Sequence, residues 1–321
     1  MMANMNSAIN SALNIVMRDD EKAIILGEDV GKDGGVFRVT EGLLAKYGEQ
    51  RVIDTPLSEA GIVGTSIGMA LSGLHPVAEI QFAGFMYLAF DQLVSHAARY
   101  RSRTRSTWKV PMVVRTPVSG GVRTLEHHAE SPEAYYAHSG GLIILEPSNP
   151  YDAKGLLIKA MHMEDPVLFL EPTRLYRLFR QEIPEGSYEV PIGKANIIRE
   201  GTDLTIVTYG TMVPIVNNVV SKKGINAEII DLRTINPLDE KTILQSVEKT
   251  GRVMIVHEAE LSFGVGAEIA ARISEKALFK LNAPIMRVAS PSLPYPFPSY
   301  EQFYLPNERK VSEAIDKIMS S

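Results

Sequence analysis

The sequence predicts an α/β protein of two domains, each a mainly parallel sheet flanked by helices, and three observations carry this reading. Short apolar runs of strand length alternate with segments of helical period along most of the chain. The 321 residues exceed what a single hydrophobic core usually supports. The alternation lapses once, in YRLFRQEIPEGSYEVPIG (residues 176–193), and then starts again. The expected division is residues 1–178, a linker at 179–193, and residues 194–321.

The elements follow in order. Met5, Ile9, Leu13 and Val16 recur at helical spacing, so the chain opens with an amphipathic helix ending before the charged run 18–22. Residues 23–30 (AIILGEDV) form an apolar strand that breaks into Gly31, Gly34 and Gly35. Glu28 therefore falls at the carboxyl end of that strand, where open parallel sheets bind ligands. Helices are expected at 41–47, 58–71, 87–101 and 151–161, and strands at 51–55, 76–82, 110–115, 142–145 and 167–170. After the lapse, strands at 204–209, 227–232, 253–257 and 285–288 alternate with helices near 213–220, 240–248, 267–277 and 311–319. Residues 290–306 (SPSLPYPFPSYEQFYLP) read as an extended, proline-rich and aromatic arm.

Composition narrows the function classes. With 33 basic and 38 acidic side chains, a net charge of -5 offers no long-range attraction for nucleic acid or an anionic membrane. The absence of cysteine excludes disulfides, thiolate nucleophiles and cysteine metal clusters. No basic start precedes an apolar run and no stretch has membrane-spanning length, so a cytoplasmic protein is expected.

Two segments could carry chemistry. In DTPLSEAGIVGTSIGMALSG (residues 54–73), Ser58 is placed to cap a helix with Glu59 in its first turn. Gly61, Gly64 and Gly68 share one face of that helix, where missing side chains let another backbone or a flat ligand come close. In VSGGVRTLEHHAESPEAYYAH (residues 118–138), Ser131, Pro132 and Glu133 have the order of a capped helix start, which leaves His127 and His128 on a loop. Glu126, His127, His128 and Glu130 invite a metal reading, yet their spacing matches no familiar zinc pattern. Arg99, Arg101, Arg103 and Arg105 are a basic cluster suited to a helix end. Gly264 and Gly266 precede Ile269 where a dinucleotide fingerprint needs a third glycine, so direct NAD binding is not expected.

Read together, LGEDVG, RV.DTP.SE.G..G, AEIQF..F, HHAESPEAYYAH, LYR.FRQE.P, IDLRT..PLD and HEAEL resemble the landmarks of one family, spread over most of the chain. That family is the beta subunits of thiamine-diphosphate-dependent 2-oxoacid dehydrogenases, whose two domains are a transketolase-like pyrimidine-binding domain and a transketolase C-terminal-like domain. The resemblance implies that Glu59 is the carboxylate bonded to the aminopyrimidine ring nitrogen. It shifts that ring to the imino tautomer, which removes the thiazolium proton internally. It places Phe85 against the aminopyrimidine as a stacking ring, Glu28, Leu57 and Gln81 around the same pocket, and His128 facing the reacting centre.

The family's magnesium ligands come from a GDG motif followed by an asparagine. This chain has only DGG at 33–35, with no asparagine between Asn14 and Asn149. Magnesium and the phosphate cradle are therefore expected from an alpha subunit, in a heterotetramer of two alpha and two beta chains. A structural potassium ion would use carbonyls of Met112, Ala160, Met163 and Asp165. The implied reaction is decarboxylation of a 2-oxoacid and acyl transfer to lipoyl lysine on an acyltransferase core. SPEAYYAH and FYLP lean toward branched-chain acids such as 3-methyl-2-oxobutanoate, and LFRQEIPEG toward pyruvate. A split transketolase and a non-catalytic docking subunit are the competing readings.

Overall fold

The computed structural model describes residues 1–321. Seven strands form the first sheet, in the order Thr234–Asn236, Ile143–Leu145, Val167–Pro172, Val113–Val118, His75–Glu79, Ala23–Gly27 and Val52–Asp54. Every neighbouring pair is parallel except the edge strand Thr234–Asn236. A second sheet of five strands runs Met286–Ser290, Val253–Glu260, Leu204–Thr208, Ala227–Asp231 and Asn196–Arg199, with only the last pair antiparallel. The inner strands are apolar and buried on both faces, as parallel sheets covered by helices require.

Apart from the helix expected at 87–101, the predicted strands and helices are present, with boundaries shifted by a few residues. The first helix runs Met5–Asp19, two residues into the charged run, and ends where the Asp20 amide donates to the Val16 carbonyl. Helix Glu59–Leu71 is capped as expected, the Gly61 amide donating to Ser58 Oγ at 3.3 Å. The single helix expected at 87–101 is replaced by tight turns at Ala83–Ala89 and Ala97–Arg99, a wide turn at Gln92–His96 and one helical turn at Tyr100–Arg103. Close backbone contacts bracket this segment. A Cβ on Gly84 would lie 2.5 Å from the His127 carbonyl, and one on Gly141 would lie 2.0 Å from that of Ala98. Ser131 caps nothing: helix Glu133–Ala137 has Pro132 at its cap position and no side-chain cap.

Four short strands escape the periodicity analysis, being too brief to show a period. Met2–Ala3 pairs with Gln181–Glu182, which fastens the 179–193 segment to the first domain. Lys154 Nζ strengthens this by donating to the carbonyls of Pro184 and Glu185. Asn196–Arg199 edges the second sheet, and Thr234–Asn236 leaves the second domain to edge the first.

A shared apolar cluster joins the sheets: Ile144 and Leu168 pack with Val207, Ile230 and Ile255. Beside it lies a set of buried acids, Glu133, Glu146, Asp231 and Glu258. Tyr209 donates to Glu133 at 2.7 Å, and Ser148 donates to Asp231. One oxygen of Glu146 has no partner. Burial pushes Glu133 and Asp231 up to about 7 and holds Glu146 well above the carboxylate range. Gly264 and Gly266 have a packing reason in the same region, since a Cβ on Gly266 would lie 2.5 Å from the ring of buried His257.

These acids make stability pH-dependent with a definite sign. Their ordinary values are 4.5 for Glu133 and 3.8 for Asp231, so between there and about 7 the folded chain holds protons that the unfolded chain has released. Stability is therefore greatest on the acid side of that window and falls as pH rises through 7. Melting temperatures at pH 6 and pH 8 should show a fall of about 3 °C or more, diminished in Glu133→Gln. An equal fall in both proteins would contradict the assignment.

Candidate active site

The chain leaves strand Ala23–Gly27 for Val52–Asp54 on one side, then places His75–Glu79 on the other side and builds outward from there. The winding direction reverses between Ala23–Gly27 and His75–Glu79, and at such a reversal a crevice opens beyond the carboxyl ends of the strands. Glu28 follows the first of these strands directly, and Gln81 and Phe82 follow the second. Helix Glu59–Leu71 begins at the same end and packs against the turn Ala83–Ala89.

Glu59 is 4% exposed and Glu28 is 8% exposed, and neither carboxylate has a hydrogen bond or ion pair within the chain. Burial, followed by the charges of Glu59 and Asp29, holds the Glu28 carboxyl above its ordinary value. The contrast with Glu79 is instructive. That buried acid is paired with Arg115, which also bonds Glu171 through Nε at 2.7 Å and through its second amino group at 2.9 Å. Glu59 has no donor within the chain and is free to accept one from outside it.

Across the crevice, Phe37, Phe82, Phe85 and His128 make a continuous aromatic contact. Phe82 lies 5.6 Å from Phe37 and 5.9 Å from Phe85, and the His128 ring lies 4.3 Å from Phe82 and 5.3 Å from Phe85. Phe85 is half-buried, which leaves ring surface free for stacking. His128 is half-buried while His127 is exposed. Leu57 stands on the rim, 77% exposed, and Gln81 donates to Asp29 at 3.0 Å. Sequence reasoning missed Phe37, Phe82 and Asp54. The last was visible only as part of DTP, yet its carboxylate accepts the amides of Gly31 and Lys32 and fixes the loop that follows Glu28.

That loop does not form a phosphate cradle. The amides of Gly31 and Lys32 are taken by Asp54, that of Gly34 by the Gly31 carbonyl and that of Gly35 by the Asp29 carbonyl. Of the carbonyls considered for potassium, those of Met112 and Ala160 already accept the amides of Val167 and Met163, and the Asp165 side chain is paired with Arg101. The residues thus fit the pyrimidine half of thiamine diphosphate, a flat ring with a nitrogen to be met by a buried carboxylate. They do not fit its diphosphate. No helix is long and apolar enough to cross a membrane.

Comparison with known proteins agrees with this geometry. Residues 1–178 match the family described as transketolase, pyrimidine binding domain, and residues 193–311 match transketolase, C-terminal domain. The chain is 49% identical to the pyruvate dehydrogenase E1 component subunit beta of Acholeplasma laidlawii over 97% of its length and 96% of that protein. It is 48% identical to the protein of the same name from Bacillus subtilis over 98% of both chains. Among solved structures, a split gene transketolase, described as an inactive beta4 tetramer, superposes with a TM-score of 0.79 at 20% identity, covering 99% of this chain and 98% of that one. It shares the fold. The chain therefore belongs to the beta subunits of 2-oxoacid dehydrogenase E1 components, with two transketolase-like domains.

Proposed function

We propose that this chain is the beta subunit of a pyruvate dehydrogenase, supplying the pyrimidine half of a thiamine diphosphate site that an alpha subunit completes. The observation that carries the reading is Glu59, a buried carboxylate without a partner, at the point where the sheet reverses direction. Thiamine diphosphate, when bound, supplies an acidic ring carbon that adds to the 2-oxo group and accepts the electrons left by loss of carbon dioxide. Glu59 holds a proton at the pyrimidine ring nitrogen, and Phe85 orients the ring through its free face. Glu28 lies beside Glu59, and Gln81 and Leu57 border the pocket. His128, whose ring lies against Phe82 and Phe85, has the proton-donor role toward the oxygen of the reacting carbonyl or the accepting lipoyl sulfur in this reading.

Two features support the partner. In the loop after Glu28 the amides of Gly31, Lys32, Gly34 and Gly35 are already bonded within the chain, which leaves the diphosphate to be held from elsewhere. The glycine face of helix Glu59–Leu71 is uncovered, with nothing within 4 Å of a Cβ placed on Gly68, so another helix backbone has room to approach. An α2β2 heterotetramer acting on a lipoyl-bearing acyltransferase core in the cytoplasm is the assembly we infer. Potassium is a weaker part of the reading, because Met112 and Ala160 would have to share carbonyls already engaged.

The sequence features leaning toward branched-chain acids give way to pyruvate, the substrate in the names of relatives matched along nearly the whole chain. Small differences in an apolar pocket discriminate only modestly, about 10–200-fold per methylene. The test is oxidative decarboxylation with an artificial electron acceptor by the chain co-expressed with its alpha-type partner. Pyruvate should exceed 3-methyl-2-oxobutanoate by about tenfold or more in kcat/KM, and a reversed order would restore the branched-chain reading. Glu59→Gln should lower kcat at least about 100-fold, and His128→Ala about 10- to 100-fold. Full activity of the chain without a partner would contradict the split site.

A further inference from the structure

The loop that carries His128 is held from the other domain. It leaves strand Val113–Val118 with Ser119, Gly121 and Arg123 all in the left-handed region, at φ of 73°, 85° and 60°. Ser119 and Arg123 are not glycines, so this path stores backbone strain that surrounding contacts must offset. Within the loop there is little to do so. The Ser119 amide donates to the Glu130 carbonyl at 2.9 Å and the His128 amide to that of Leu125 at 3.0 Å.

Three further amides of the loop donate to two carboxylates of the second domain. Gly120 donates to Glu258, on strand Val253–Glu260. Gly121 donates to Glu301 at 2.9 Å and Arg123 to the same oxygen at 3.3 Å. Successive backbone N–H groups of a left-handed turn form an anion-binding concavity, here filled by side chains of the protein itself. Glu301 is 7% exposed and also accepts the Tyr295 hydroxyl, which lies 3.2 Å from the Gly121 amide. The fit is close. A Cβ on Gly120 would lie 1.9 Å from the Tyr295 hydroxyl, and one on Gly121 would lie 2.4 Å from Cδ of Arg174. Beside these bonds Gly121, Arg123, Arg174, Pro298 and Glu301 border a cavity of about 580 Å³.

We propose that Glu301, set by Tyr295 in the arm, is a positioning residue for His128: it fixes the strained loop and thereby the height of the histidine over the cofactor pocket. The inference deepens the function proposed above and rests on it for the role of His128. Charge-assisted bonds from a carboxylate to backbone amides are strong enough for this, being roughly twice neutral ones. A small displacement of a catalytic group is costly to rate.

The test uses the complex with the alpha-type partner, thiamine diphosphate and magnesium. Glu301→Ala should lower kcat about 10- to 100-fold in the step that His128→Ala slows, with cofactor affinity within about 3-fold of wild type. The double variant should be no slower than His128→Ala alone, since the two act as a unit. Glu301→Gln, which keeps an acceptor oxygen, should restore most of the rate, and Tyr295→Phe should lose less than Glu301→Ala. Amide hydrogen exchange across residues 119–128 should quicken about tenfold or more in Glu301→Ala. Losses that multiply in the double variant, or loop protection unchanged in Glu301→Ala, would overturn the proposal. A wild-type complex without 2-oxoacid turnover would contradict the proposed function, and exchange would then decide the anchor separately. Should Glu301→Ala fail to fold, Glu301→Gln and Tyr295→Phe carry the same comparison.

Discussion

Arg115 is buried to 1% exposure at the carboxyl end of the first sheet, and both working edges of its guanidinium are occupied by the carboxylates of Glu79 and Glu171. These residues sit on three adjacent strands, so one cation ties together the floor on which the site stands. Breaking such a buried set by deleting one member costs about 3–5 kcal/mol. With Arg115 committed to that floor, Glu28 and Glu59 receive no cation of their own, and the crevice keeps two acids unpaired within the chain. The same imbalance recurs at the joint between the domains, where burial raises Glu133, Glu146 and Asp231 above the ordinary carboxylate range, Glu133 and Asp231 to about 7.

Much of the fold was legible because its parallel strands are buried on both sides and read as plain apolar runs between helices of clear period. What escaped was set by contacts distant in sequence. Thr234–Asn236 is three residues long and finds its partner strand some ninety positions earlier, a pairing no local pattern announces. The 87–101 segment has helical spacing, but Gly84 just before it passes against the backbone of His127 and Ala98 within it against that of Gly141, and tertiary contact overrides local preference.

The site divides along the same line. Glu59 was legible from its place after Ser58 at a helix start and from the motif around it, and Phe85 and His128 from theirs. Their convergence was not, because the rings meet through Phe82 and Phe37, whose residue type alone says only that they are apolar. Glu301 was hidden more deeply still, in a segment whose composition suggests an extended arm, while its carboxylate is spent on amides about 180 residues earlier in the chain.

In the function proposed above, Glu59 sets the ionisation of a cofactor that this chain holds only by half. The exchange rate of the thiazolium ring proton of thiamine diphosphate bound to the complex with the alpha-type partner, followed by NMR in wild type and in Glu59→Gln, reads that role. The variant complex should still bind the cofactor while exchange slows about 100-fold or more. Exchange at the wild-type rate, with the cofactor bound, would contradict it.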